Sequence, residues 1–214
     1  MKKKINTKAK DKILKAAIRE FIDFGFYGAR MQRIADQAHV NKALLFYYFS
    51  NKKQIYREVL RSIIGKIMDQ LNQPDKNPAS VEDKIRQVID AYYNVLVQYP
   101  DFGRLMQYEF IQGGQDFLEI MKERPLPFNP VDGNLYVHFH NFIKTGKIKD
   151  IDLINLFLSI IGQIIISFLT RPLMESLSRQ YNFKFDFKEF MVQRKEFITR
   201  LVLEGISNKG DRHA

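Results

Sequence analysis

The chain contains no cysteine, which excludes disulfide frameworks, thiolate metal centres and cysteine nucleophiles at once. Histidine is nearly as scarce. His39, His138, His140 and His213 are scattered, and the one near pair, His138 and His140, has a spacing that points two helical side chains about 200° apart. No zinc site and no cofactor are expected. Gly-rich phosphate loops are missing, and no acid, base and nucleophile fall into a convergent pattern, so no enzyme is expected either.

Long apolar runs are few. The start, Met1 to Lys10, carries the lysines of a signal n-region but no apolar segment behind them. Leu153 to Thr170 lacks any charge and reaches the lower edge of a membrane span. Along it Asn155, Ser159, Gln163 and Ser167 recur every four residues, a polar stripe that suits a buried interface helix better than a lipid-facing one. The expectation is a cytoplasmic chain with no membrane partner.

Acidic residues are scarce in one half only. Residues 1–66 hold 16 Lys or Arg against 5 Asp or Glu, and the remainder holds 18 against 19, so the halves carry +11 and −1 and sum to the total of +10. A basic module joined to a neutral, Phe-rich one suggests a polyanion-binding element attached to a body of different purpose.

What is abundant is helical spacing, and the expected fold class is all-α. Ile13, Leu14, Ala17, Ile18, Phe21 and Phe24 share one face of a first helix that starts near Thr7, with Gly25 where a left-handed terminal residue is needed. Met31, Ile34, Ala35 and Ala38 mark a short second helix. His39 and Val40 turn into Asn41, which can cap a third helix over 42–49. A fourth follows Ser50-Asn51, where Asn51 and Gln54 imitate a capping box, and its core stripe is Ile55, Val59, Ile63, Ile67 and Leu71.

Two prolines in 72–80 mark a loop and the module boundary. Further helices are expected over 80–98, 102–111, 115–122, 135–145, 153–170 and 187–207, the last capped by Asp186. Pro125, Pro127 and Pro130 must break the chain between two of them, Pro172 closes the uncharged helix, and the tail from Asn208 is expected to fray.

Three short helices within 8–49, the second and third joined by a four-residue turn, form a helix-turn-helix pattern that offers its third helix to a DNA major groove. The run from Ile34 to Lys52, IADQAHVNKALLFYYFSNK, resembles the signature of the tetracycline-repressor (TetR) family, I-A-x-x-A-G-V-S-x-G-x-L-Y-x-Y-F-x-x-K. Ile34, Ala35, Ala38, Val40, Leu45, Tyr48, Phe49 and Lys52 match in register, and Ile13, Ala17, Phe21 and Gly25 extend the likeness over the first helix. The sequence departs from the pattern at Ala29-Arg30, where Thr-Thr is usual, and at His39 for Gly, Leu44 for a hydroxyl residue and Phe46 for Tyr.

The resemblance implies a homodimeric transcriptional regulator, most often a repressor, that binds a palindromic double-stranded operator and is released by a small-molecule effector. Residues 1–50 would be the DNA-binding domain, helix 4 over 52–71 the connector, and 80–208 a helical bundle for ligand binding and dimerisation. Carried over by position, Lys42, Ala43 and Phe46 would face base edges with Gln32 as a second reader, while Arg30, Tyr47, Tyr48 and Lys52 would contact phosphates. The lysines of 2–12 are candidates for further backbone contacts. The uncharged helix and the last helix would build the subunit interface.

In the body, Tyr92, Tyr93, Met106, Tyr108, Phe110, Phe139, His140 and Phe142 combine apolar bodies with polar tips, the chemistry of a largely hydrophobic pocket. The competing reading is a basic adaptor for a membrane surface without sequence-specific DNA binding, which leaves the capped third helix unexplained.

Overall fold

The computed structural model describes residues 2–73 and 80–208, with side chains from residue 8 onward. The middle of the 72–80 loop, the side chains of the first lysines and the tail beyond Asn208 lie outside the described residues. Eleven helices and no strand are found among them: α1 (Lys2–Gly28), α2 (Met31–Gln37), α3 (Lys42–Tyr48), α4 (Lys52–Leu71), α5 (Val81–Gln98), α6 (Phe102–Ile111), α7 (Gln115–Lys122), α8 (Asn134–Lys144), α9 (Leu153–Leu169), α10 (Arg171–Tyr181) and α11 (Phe187–Ile206).

The local chemistry that starts these helices is the chemistry the sequence carries. Ser80 and Asp83 form a reciprocal capping box at α5, Asp152 accepts from the Asn155 amide at α9, and Asp186 accepts from the Glu189 amide at α11; each satisfies an amide the helix itself leaves unpaired. α10 is the element that sequence reading misses. Pro172 reads as a stop, but it sits in the first turn of α10, where its missing N–H would have had no helical partner and its fixed φ suits the helix. None of the residues of α10 is buried, although Leu173, Met174, Leu177 and Tyr181 recur at helical spacing.

The described residues group into two compact units, Met1–Gly65 with Arg104–Arg124, and Lys66–Gly103 with Pro125–Ala214. The units do not follow chain order. Sequence reading assigns 80–208 to one body, whereas α7 and most of α6 belong with the N-terminal helices. Three contacts explain this. The Tyr56 hydroxyl donates to buried Glu109 at 3.0 Å, Arg57 pairs with Asp116 at 2.6 Å, and Arg61 donates through two nitrogens to the carboxylate of Glu123 at 2.6 and 2.7 Å.

In the first unit Ile13, Ala17, Phe21, Ile34, Ala35, Leu45, Phe49, Ile55 and Val59 are all buried, whereas Phe24, expected on the same face of α1, is 49% exposed. In the second, α5 packs on α9 and α11, with Ile85, Val88, Ile160, Ile164 and Ile198 inside. A Cβ at Gly103 would come within 2.7 Å of the Leu169 Cδ2, so that side chain would have to move to admit one. No single helix among the described residues is long and apolar enough to cross a membrane; α9 and α10 together meet the length and composition but are bent by 49°.

Gly25 interrupts α1 with φ 63 and ψ 179. The positive φ matches the sequence expectation, but the ψ is extended rather than left-handed helical, a region essentially reserved for glycine. A Cβ there would meet nothing within 4 Å, so the cost of replacing it is conformational. Gly25→Ala is expected to lower stability by about 1–3 kcal/mol, read by urea unfolding; an unchanged midpoint would show that the chain can leave α1 by another route.

Candidate nucleic-acid interface

α2 and α3 are seven residues each, too short to be stable alone, so their packing and caps must hold them. His39 has φ 56, the left-handed conformation this turn needs, which a histidine tolerates at some cost. The Val40 amide donates to Ala35 at 3.0 Å, and the Asn41 side chain accepts from the Leu44 amide at 2.7 Å, capping α3. Leu45 points inward and is fully buried.

That rotation decides what faces outward. Lys42 and Ala43 are exposed, Phe46 is 43% exposed, and the Lys42 ammonium lies 5.9 Å from the Phe46 ring centre. Tyr47 is 74% exposed, and Tyr48, half-buried, meets Tyr47 edge-on at 5.3 Å and Phe49 at 6.4 Å. Arg30 is exposed at the entry to α2, and Gln32 donates to Asp36 one turn on at 2.8 Å. These residues lie on or beside α2 and α3.

Lys52 is placed differently. Its ammonium donates to the carbonyls of Tyr27 and Ala29 at 3.2 and 3.1 Å and sits 4.9 Å from the Phe26 ring centre. A cation there satisfies carbonyls left over at the end of α1, so phosphate contact would require it to leave or share them.

Sequence reading overlooks the support beneath this face. Glu20 is fully buried; one of its oxygens accepts from the Arg30 amide and from Arg33 Nε, both at 2.8 Å, while the other has no partner. Arg33 also donates to the Gly28 carbonyl at 2.7 Å and lies 4.1 Å over the Phe24 ring. Arg30 thus starts α2 with its own backbone held by a carboxylate, where the family pattern places hydroxyl residues. The signal was present: Glu20 falls at i+7 from Ile13 and i+4 from Ala16, on the buried stripe of α1.

The eight residues expected to line a ligand pocket fall into separate groups. In the first unit Met106 is buried, Tyr108 packs against Tyr27 and Tyr56, and Phe110 is 56% exposed beside Phe117. In the second, Phe139 and Phe142 are buried and meet at 5.8 Å, Tyr92 is half-buried, Tyr93 lies against Phe168, and exposed His140 stacks on Tyr136. Among the described residues no group of three or more metal-ligating side chains is assembled.

Comparison with known proteins agrees with this geometry. Residues 13–59 match the family model for bacterial regulatory proteins of the tetR family. The HTH-type transcriptional regulator RutR of Escherichia coli (strain K12) is 31% identical over 152 residues, 67% of this chain and 66% of its own length, so the match spans slightly less than two thirds of that relative. The HTH-type transcriptional repressor NicS of Pseudomonas putida is 27% identical over 107 residues, 50% of each chain. Among solved structures, the transcriptional regulator FadR from Bacillus subtilis, in complex with stearoyl-CoA, superposes with a TM-score of 0.69 at 21% identity, covering 92% of this chain and 99% of that one; at that identity the likeness establishes the fold. The chain belongs to the TetR family, a family of transcriptional regulators and not of enzymes.

Proposed function

We propose that the chain is a ligand-responsive repressor that binds a palindromic operator as a homodimer in the cytoplasm and releases it when a small, largely hydrophobic effector binds the C-terminal region. The observation that carries the reading is the outward face of α3, where Lys42, Ala43 and Phe46 stand exposed behind an Asn41 cap. Lys42 can donate to guanine O6 and N7, and Ala43 and Phe46 can meet a thymine methyl. Arg30, Tyr47 and Tyr48 flank them at positions suited to phosphates, which fix register without reading sequence.

One such face is too small for high specificity, whereas two related by a twofold axis read two half-sites. Support for a dimer lies on α9 and α11, where Ile154, Leu158, Ile166, Val192, Phe197 and Leu201 are 45–63% exposed, more apolar surface on two helices than a lone subunit gains from showing to water. The effector acts only through a difference in affinity between conformers that do and do not fit the operator.

Selection of bound genomic fragments, followed by a salt titration, tests the reading. The expected result is a palindrome whose affinity falls steeply with salt; binding to anionic vesicles as strong as to duplex DNA would favour the membrane adaptor instead. Lys42→Ala is expected to cost about 1–3 kcal/mol of operator affinity and to relax preference at one base pair per half-site. A uniform loss across all sequences would turn Lys42 into a phosphate contact.

A further inference from the structure

The second unit holds a cavity of about 460 Å³ walled by Tyr93 of α5, Phe168 of α9 and Phe187 of α11, with Arg171, Glu175, Asp186 and Lys188 on its rim. The rings form a continuous apolar surface: Tyr93 and Phe168 are 6.2 Å apart between centres, and Phe168 and Phe187 are 5.2 Å apart at a steep angle. Rings at these separations touch, so they present one wall against which a flat molecule can lie.

The rim is decided by which of its charges are already used. Glu175 accepts from Arg171 Nε at 2.7 Å. Asp186 accepts from the Glu189 amide at 2.9 Å, and the hydrogen bonds of the helix start, first that from Glu189, hold its carboxyl below the usual range and therefore ionised. Both carboxylates are thus occupied within the protein.

The cations share in these contacts, Arg171 through its ion pair with Glu175, but keep donors to spare. Arg171 uses only Nε for hydrogen bonding among the described residues, and its guanidinium carbon lies 4.7 Å from the Phe187 ring centre. The Lys188 backbone also donates to Asp186 and its charge helps hold that carboxyl low, but its exposed ammonium extends to the same cavity. What remains unspent is donors of positive charge beside an aromatic wall. A neutral apolar molecule would leave those donors unused.

We propose that this cavity binds a planar aromatic carboxylate, its ring system against Tyr93, Phe168 and Phe187 and its carboxylate on the terminal amino groups of Arg171, with Lys188 alongside. Planar guanidinium and planar carboxylate match in geometry, and the contact with Phe187 holds the guanidinium near that wall before the ligand arrives. The proposal rests on the reading that the second unit takes a small ligand, and it adds the place and the chemical class. Of the eight residues expected at a ligand pocket, Tyr93 alone lines it.

Calorimetric titration of the full chain, free of DNA, with 2-naphthoate, its neutral analogue 2-naphthylmethanol and decanoate tests the site. The expected result is saturable binding of one 2-naphthoate per chain, at least tenfold tighter than either of the others. Arg171→Gln, at a half-exposed position, removes that preference by weakening 2-naphthoate tenfold or more while leaving the alcohol unchanged. Phe187→Leu weakens both aromatic compounds, with melting curves of each variant confirming a folded chain. The proposal is overturned if 2-naphthoate fails to bind at millimolar concentration, if decanoate or the alcohol binds as tightly, or if Arg171→Gln leaves 2-naphthoate unaffected. Operator binding plays no part in the test, so failure here leaves the DNA-binding reading where it stands.

Discussion

Glu20→Ala is expected to destabilise the first unit by about 3 kcal/mol, the lower end of the range for removing one partner of a buried ion pair. The lower end applies because the Arg33 side chain is 33% exposed and water can take over part of its hydration. What the substitution removes is more than one pair. The same oxygen holds the Arg30 amide at the start of α2, and that helix has no other side-chain cap. Operator affinity should therefore fall with stability, although Glu20 is fully buried and touches no surface. The check is urea unfolding of Glu20→Ala beside the double variant Glu20→Leu/Arg33→Met. Replacing both partners by apolar groups should recover much of the loss, because no buried charge is then left alone. A loss below about 1 kcal/mol for the single variant would mean that α2 is held by its packing and not by this carboxylate.

Glu109→Ala should also be costly, about 1–3 kcal/mol for each donor that stays buried without an acceptor. Glu109 is buried and accepts three donors: the Tyr56 hydroxyl at 3.0 Å and the amides of Asp116 and Phe117 at 2.9 and 3.1 Å. A single carboxylate from α6 thereby caps α7 and ties both to α4. Tyr56→Phe removes one donor only and is expected to cost about 1 kcal/mol.

The Tyr56 hydroxyl is pushed far above its ordinary value by burial, and further by the charge of Glu109 and the hydrogen bond to it. With the folded value raised, its contribution is complete below the unfolded value of about 10 and is lost as the pH rises beyond it. Wild-type stability should therefore fall between pH 9 and pH 11 more steeply than that of Tyr56→Phe. Parallel pH profiles of the two chains would contradict the assignment.

How far the sequence could be read depends on the range of the forces involved. The helix-turn-helix was legible because its determinants are local: the apolar spacing of Ile34, Ala35 and Ala38, the left-handed turn at His39 and the cap at Asn41 all lie within a few residues of what they control. α10 was missed because Pro172 reads as a stop, although it sits in the first turn and Leu173, Met174, Leu177 and Tyr181 recur at helical spacing behind it. Lys52 shows the limit for single side chains. Its place in the family pattern suggests a phosphate, yet the carbonyls that hold it belong to residues 27 and 29, brought to it by the fold.

The sequence by itself determined every helix but α10, the basic head and the face of α3 that meets solvent, since each follows from periodicity, charge count and capping within one or two turns of chain. Only the tertiary structure decided that α6 and α7 join the N-terminal helices, that Glu20 and Glu109 are buried acceptors, and that Arg171 stands beside three rings with donors to spare. Those arrangements depend on partners 10 to 62 positions apart or on the meeting of separate helices. Charge complementarity over such separations leaves no period in the chain, because it is the packing of the apolar faces that brings the partners together.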